Sequence, residues 1–449
     1  MNKEFVSPPI GKILLKSYLF LKDDISFYQH FLETYGDLVF LRIGDFEMLL
    51  VNDPGFIQHV LKTNYTNYSK PKSLRELEPL LKDGIFYLED EAWRKEVSIL
   101  KPAFHQSMIS QNEFVVKEEL KQTFVSLDEL TTQEKPAELS SLLRNLFLTI
   151  LIRTQCSPEA SINQTRLIEL LSLMLDGVRP IQFYSRVTKR GLNNFLNANF
   201  FNDPFPAAAQ EIEDMMMEVF YAAESGKIEA TGLLYIILQA YKDGKINLTT
   251  VKGEMRNLVF AGMDTVADSM TWFMNNLMIF PEIQKKCREE VNKVSSDELL
   301  SYSQIDKFVY FYASFRESLR LNPSVWAFHR MTLADDSWNG HHIAKGVWIF
   351  ISPYFLHRNK KYWEDALIFK PERFIGTNIV NPYHYIPFGQ GPHYCLGSRI
   401  AQLQIMQITG SLIKRYKFSK SSKNRDKFYA GGMLHPSHGL FADLQFAGN

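Results

Sequence analysis

A lone cysteine at the head of the last long helical stretch constrains this chain most. The segment Phe388-Gly-Gln-Gly-Pro-His-Tyr-Cys-Leu-Gly397 surrounds Cys395 with Gly389, Gly391 and Gly397, and a helical pattern over Leu396 to Tyr416 follows directly. Glycine permits a tight loop whose backbone amides turn inward. A helix N-terminus adds free N–H groups and partial positive charge. Both favour a thiolate, so a lowered thiol pKa is expected. A single thiolate with no second cysteine nearby is a poor zinc site. It suits a metal already held on its other sides, as haem iron is. The competing reading is a small buried hydrophobe.

The rest of the chain is ordinary globular sequence. Its 449 residues allow several domains by length,. No internal repeat, low-complexity tract or long Gly/Ser linker divides them, which favours one large domain over residues 1–449. Lys plus Arg and Asp plus Glu both number 50. There is thus no overall basic field for nucleic acid or an anionic membrane. Cys156, Cys287 and Cys395 form an odd, sparse set. That excludes a disulfide framework and implies a reducing compartment, the cytoplasm. The most apolar early run, Ile13 to Leu21, is interrupted by Lys16, so neither a signal peptide nor a membrane anchor is expected. The 34 Phe, 20 Tyr and 6 Trp suit an apolar ligand cavity as well as a core.

Patterning gives a mainly α chain with minor β. Asp37 to Asp53 reads as a hairpin turning at Gly44-Asp45. Helical spacing covers Glu113–Leu130, Ala137–Thr154, Thr165–Asp176 and Ala207–Ser225. Within the second of these, Arg144 and Asn145 break an apolar run, Leu142 to Ile152, that otherwise reads as core. A long helix over Thr249–Phe280 ends at Pro281, which opens the next helix. Another helix spans Gln304–Leu321, with Ser303 and Asp306 as a capping pair and Asn322-Pro323 as its stop. Residues 324–393 then turn rich in Pro, His, Asn and aromatics, with a short β segment at Val347–Ile351.

Four motifs stand in order along the chain: Glu91-Ala-Trp-Arg-Lys, Ala261-Gly-Met-Asp-Thr265, Glu317-Ser-Leu-Arg320 and Phe388-x-x-Gly391-x-x-x-Cys395-x-Gly397. Together they resemble the cytochrome P450 family, in particular its soluble bacterial members. The likeness covers nearly the whole chain, up to a turn at Ala430-Gly-Gly-Met-Leu. It implies the P450 fold, a triangular prism with a helix-rich and a small β-rich part. It also implies haem b, with Cys395 as the axial ligand and Phe388, Gly389, Gly397 and Ala261 around the cofactor. Thr265 would assist dioxygen activation, and Asp264 would pass protons from solvent. Weak helix formers in mid-helix already suggest a local purpose there. A threonine can bond back to a carbonyl one turn earlier. Glu317 and Arg320 share a helix face, and the resemblance supplies Arg373, in Phe369-Lys-Pro-Glu-Arg-Phe374, as third member of a structural triad.

The likeness also implies that the haem propionates are held by Trp93, Arg330 and His393. One departure stands out: Val97 occupies a position where the family carries a basic side chain. The substrate pocket would be walled by Phe260, Val325, Trp326, Ala327, Met433 and Leu434, with helices near Arg179 to Arg190 over it. The implied activity is insertion of one oxygen atom from O2 into a small organic substrate, by hydroxylation or oxidative O-dealkylation. Electrons would come from NAD(P)H through a separate ferredoxin or flavodoxin and its reductase. Lys101, Lys414 and Arg415 could steer such an acidic partner, and a monomer is expected. Rival readings are a peroxide-using or hydroperoxide-rearranging haem-thiolate enzyme, and a non-catalytic haem-thiolate sensor or scaffold. The intact Asp264–Thr265 pair argues against both.

Overall fold

The computed structural model describes residues 4–22, 24–43, 46–71, 78–177, 205–376, 381–425 and 427–448. The expected turn at Gly44-Asp45 and the helices near Arg179 to Arg190 lie outside them. Among the described residues, the helices of eight or more residues are α1 (Ile10–Lys22), α2 (Asp24–Tyr35), α3 (Asp90–Leu100), α4 (Glu113–Thr132), α5 (Leu139–Gln155) and α6 (Gln164–Gly177). They continue with α7 (Phe205–Glu224), α8 (Gly232–Lys242), α9 (Leu248–Ile279), α10 (Pro281–Val294), α11 (Tyr310–Leu321) and α12 (Ser398–Arg415). The strands are short. Leu38–Ile43 and Phe46–Val51 form the antiparallel hairpin, Trp348–Ile351 joins it in parallel, and Phe328–Thr332 and Tyr68–Ser69 complete the sheet.

The 32-residue α9 is the axis of the helical part. Its N-terminus is closed by the Asn247 side chain, which accepts a hydrogen bond from the Thr250 amide,. Most of its side chains are buried on every face, as in a helix surrounded by others,. Two glycines allow that closeness. A Cβ on Gly262 would lie 2.7 Å from the Leu151 side chain of α5, and one on Gly253 would lie 2.3 Å from the backbone of Asp83. Gly262 is therefore a contact point between helices, a simpler cause than the local catalytic purpose its position suggests.

The boundaries differ from the sequence expectation at three places. Ala137 and Glu138 form a strand on Phe441 and Ala442, and Glu138 then caps α5 through the amides of Ser140 and Ser141. The expected Gln304–Leu321 helix is two helices. A short one, Tyr302–Ile305, carries a Ser301–Gln304 capping box, in place of the expected Ser303–Asp306 pair. Helix α11 then begins at Tyr310, where Glu290 of α10 accepts hydrogen bonds from the amides of Val309, Tyr310 and Phe311. That cap comes from another helix, so no local pattern announces it. Helix α12 starts at Ser398 with Gly397 as its N-cap.

The Glu317–Arg320 pair is wholly buried. Glu317 accepts from Arg320 Nε at 2.7 Å and Nη2 at 2.9 Å, from Arg373 Nε at 3.0 Å and from the Lys370 amide at 2.8 Å. Arg320 spends its remaining donors on the carbonyls of His357, Ala366 and Ile368. A buried ion pair is tolerable only when its other hydrogen-bonding positions are filled, and here they are. Removing one partner strands the other charge. Glu317→Ala should cost about 3–5 kcal/mol in urea unfolding followed by circular dichroism, whereas an exposed pair such as Lys285–Glu289 should cost under about 1 kcal/mol,.

Candidate active site

The cysteine loop is held by its own backbone and by one tight fit. The Cys395 amide donates to the Phe388 carbonyl at 3.1 Å, and the Tyr394 amide donates to Gly391 at 3.1 Å. Gly389 and Gly391 have φ of +71° and +76°, in the left-handed region that favours glycine,. At Gly391 a Cβ would sit 1.9 Å from the Leu61 carbonyl oxygen. No larger residue fits there without moving backbone.

The three cysteines differ sharply. Cys156 and Cys287 are fully buried, and burial pushes both thiols up to about 12. Cys395 is accessible although it is crowded on most sides, so its accessible surface faces a hollow. Burial raises its thiol pKa, and the Gly397 and Ser398 amides lower it part of the way back. The expected net lowering is therefore not found: loop and helix amides do act on the sulfur, but burial outweighs them. A second inward-facing strip lies on α9. In a region of otherwise buried side chains, Ala261, Gly262 and Thr265 keep accessible surface. Thr265 Oγ1 donates to the Ala261 carbonyl at 2.7 Å, one turn back. The Thr265 carbonyl in turn accepts from Ser269 and Ser324.

Asp264 faces away from that strip. It is 3% exposed and lies 3.0 Å from Arg144 Nε of α5. This explains the arginine that interrupts the apolar run of α5. It was not legible as a partner, because only the packing of α5 on α9 brings the two together.

A basic region completes the hollow. The Trp93 and His393 rings pack at a tilt of 40° with centroids 3.9 Å apart. Arg330 donates to its neighbour's carbonyl, and burial lowers its pKa to about 10. His393 is lowered to about 3 by burial and by Lys70 and Arg330, so its ring is neutral at pH 7. Lys70 is the residue that sequence reasoning missed. Its ammonium donates to the Phe86 carbonyl at 2.8 Å, and burial brings its pKa down to about 8. Among the described residues, neither Lys70 nor Arg330 makes an ion pair. Half-buried cations with no carboxylate within ion-pair distance among the described residues offer a place for an anion,. Val97 adds no charge, and Arg94 turns outward to Tyr65.

The expected pocket walls divide into two groups. Phe260 packs edge-on against Phe86 and Val325 keeps accessible surface, whereas Met433 is buried and Ala327 is half-buried against a second core. Trp326 and Leu434 are taken up by that second core with Tyr28 and Phe350. The Trp326 indole donates to the Gly431 carbonyl, and the Leu434 carbonyl accepts from Trp272. Their role is to pin the C-terminal turn. Of the three basic residues expected to steer a partner, Lys101 is exposed. Lys414 donates to the Ser295 carbonyl, and Arg415 pairs with Asp128 and Glu298. Those two are internal braces.

A family model described as Cytochrome P450 matches residues 7–441. The chain belongs to the cytochrome P450 family and is a haem-thiolate monooxygenase. It is 26% identical over 436 residues to Protein LUTEIN DEFICIENT 5, chloroplastic, of Arabidopsis thaliana, covering 93% of this chain and 73% of that protein. It is 27% identical to Cytochrome P450 4d1 of Drosophila melanogaster (86% and 81% covered) and 24% identical to Cytochrome P450 4Z1 of Homo sapiens (92% and 85%). These relatives are plant and animal proteins, and they lend no support to the bacterial-type expectation. No described helix is long and apolar enough to cross a membrane.

The residues present fit the haem that the family implies: one accessible thiol in a glycine loop, a small-residue strip on α9, and half-buried cations beside a Trp–His pair. One test needs no cofactor. In haem-free protein a maleimide should modify a single thiol rapidly, Cys395, and mass spectrometry of the digest should leave Cys156 and Cys287 unlabelled.

Proposed function

We propose that Cys395 is the axial ligand of haem b, and that this one catalytic unit inserts an oxygen atom from O2 into a small organic substrate by hydroxylation or oxidative O-dealkylation. The observation that carries the reading is the contrast among the cysteines: two are sealed in the core, and one, in the glycine loop, is accessible. Bound there, haem supplies the oxygen activation, with the overall balance RH + O2 + 2 e− + 2 H+ → ROH + H2O.

The chain's own residues do the rest. The Phe388–Gly397 loop fixes the sulfur, and the Gly397 and Ser398 amides stabilise its negative charge,. Arg330, Lys70, Trp93 and neutral His393 would receive the two propionates, with Lys70 taking the place of the basic side chain absent at Val97. The Glu317–Arg320–Arg373 cluster would hold the segment that carries the loop. Thr265 presents its hydroxyl to the hollow, and Asp264 supplies it with protons while the packed helix keeps bulk water away. Phe260, Val325, Ala327 and Met433 favour a lipophilic substrate. Electrons from NAD(P)H would arrive through a separate ferredoxin or flavodoxin with its reductase, near exposed Lys101. The sparse cysteines suit a reducing compartment, the cytoplasm, and a monomer.

The test is isotopic. With a substrate selected by its shift of the haem spin state, 18O2 should place one labelled oxygen in the product. Thr265→Ala should keep substrate binding but divert most electrons to hydrogen peroxide. Equal coupling in variant and wild type would contradict the role given to Thr265.

A further inference from the structure

Asp264 is followed one helical turn later by a second buried carboxyl, Asp268, which is 4% exposed. Four residues at 1.5 Å rise put the two on one face of α9. Arg144 serves both: its Nε lies 3.0 Å from Asp264 Oδ1, and its Nη2 lies 4.0 Å from Asp268 Oδ1. Two buried carboxyls on one helix face disfavour each other's negative charge, which favours a proton on one of them. Burial, then the charge of Asp264, pushes the Asp268 carboxyl well above the ordinary range, against the pull of Arg144. Asp268 Oδ2 is buried and has no hydrogen-bond partner among the described residues.

Asp268 also borders solvent. A cavity of about 340 Å³ open to the surface is lined by Asp268, Arg144, Glu138, Ser141, His435 and His438. Glu138 is occupied as a helix cap, accepting from Ser140, Ser141 and Leu440 amides. His435 lies against the Tyr429 ring. Among the described residues, the charged or titratable groups facing Asp268 are thus Arg144 from α5, Asp264 from its own helix, and Glu138, His435 and His438 across the cavity. The wall of the surface cavity holds Asp268 and Arg144, and Asp264 lies behind them, next in the chain to Thr265.

We propose that Asp268 is the proton-entry residue of this site, a positioning residue that takes protons from the surface cavity and passes them to Asp264. The inference rests on the monooxygenase reading. In each transfer the Asp268 carboxylic acid gives its proton to the Asp264 carboxylate. Arg144, within ion-pair reach of both carboxyls, then favours the newly ionised Asp268 over the newly neutral Asp264. Asp264 then hands the proton on towards Thr265 and regains Arg144, and a cavity water reprotonates Asp268. Two such transfers supply the two protons of one turnover.

Asp268→Asn keeps the shape and removes the proton. In the reconstituted holoenzyme it should lower product formation about 10-fold or more, within the range of a lost acid–base group. It should also enlarge the solvent deuterium isotope effect and flatten the acid–base limb of the pH profile, and Asp268→Glu should restore part of each. A purely structural role would move none of the last three. A second measurement needs no turnover. A carboxyl whose folded pKa is raised stabilises the fold fully below its unfolded pKa, near 4, and loses that contribution as pH rises towards the folded value. Relative to Asp268→Asn, wild-type stability in urea should therefore fall as pH rises above about 4, so the two pH slopes should differ. Equal slopes, or an unchanged isotope effect in a variant whose wild type couples normally and whose Thr265→Ala counterpart leaks peroxide, would overturn the proposal. A wild type that forms no product in the same assay would instead remove the reading beneath it.

Discussion

The carboxylate of Glu317 is the interaction on which the site depends. At zero exposure it accepts four hydrogen bonds from Arg320, Arg373 and the Lys370 amide. From there the connection runs through Arg320 to the His357 carbonyl, and through His357 Nε2, which accepts from the Ile386 amide at 2.9 Å. Ile386 stands two residues before the loop that carries Cys395. His357 is buried, and burial and Arg320 hold its pKa well below the usual value, so it stays neutral and can accept. A buried ion network brings little net stability against well-packed apolar residues. Its consequence here is geometric: it gives one position to a segment that otherwise has only short 3-10 turns and bends.

A second constraint comes from close approach. Gly262 lets α5 lie against α9, and that contact brings Arg144 to Asp264. Gly391 lets the cysteine loop touch the Leu61 carbonyl. Both approaches fix the hollow between α9 and the loop, so its dimensions rest on two residues without side chains. The same packing leaves Asp268 and Arg144 on the wall of a surface cavity while Asp264 is buried against α5. Oxygen chemistry with controlled proton supply requires that bulk water be kept from the reacting face.

Much of this was legible in the sequence, for a physical reason. The cysteine loop, the Asp264–Thr265 pair and the Glu317–Arg320 pair are local patterns, readable within one helix turn or one loop. The ends of α9 were readable because Pro281 cannot continue a helix. What escaped depends on contacts between distant segments. Glu290 caps a helix 19 residues away, Lys70 reaches carbonyls of residues 85–88, and Arg144 meets carboxyls 120 and more residues on. The thiol's pKa escaped too, because helix amides can be read from spacing and burial cannot. Trp326 and Leu434 looked like pocket walls by position, but their polar edges and apolar faces are spent on the second core.

The central claim is that Cys395 binds haem iron as a thiolate, despite the burial that favours its thiol. The most direct measurement is the absorption spectrum of the reduced, haem-loaded protein under carbon monoxide. A long-wavelength thiolate-type Soret band, abolished in Cys395→Ser, is the predicted result. A band of the neutral-ligand type in freshly prepared wild type, or a thiolate band that survives in Cys395→Ser, would contradict it.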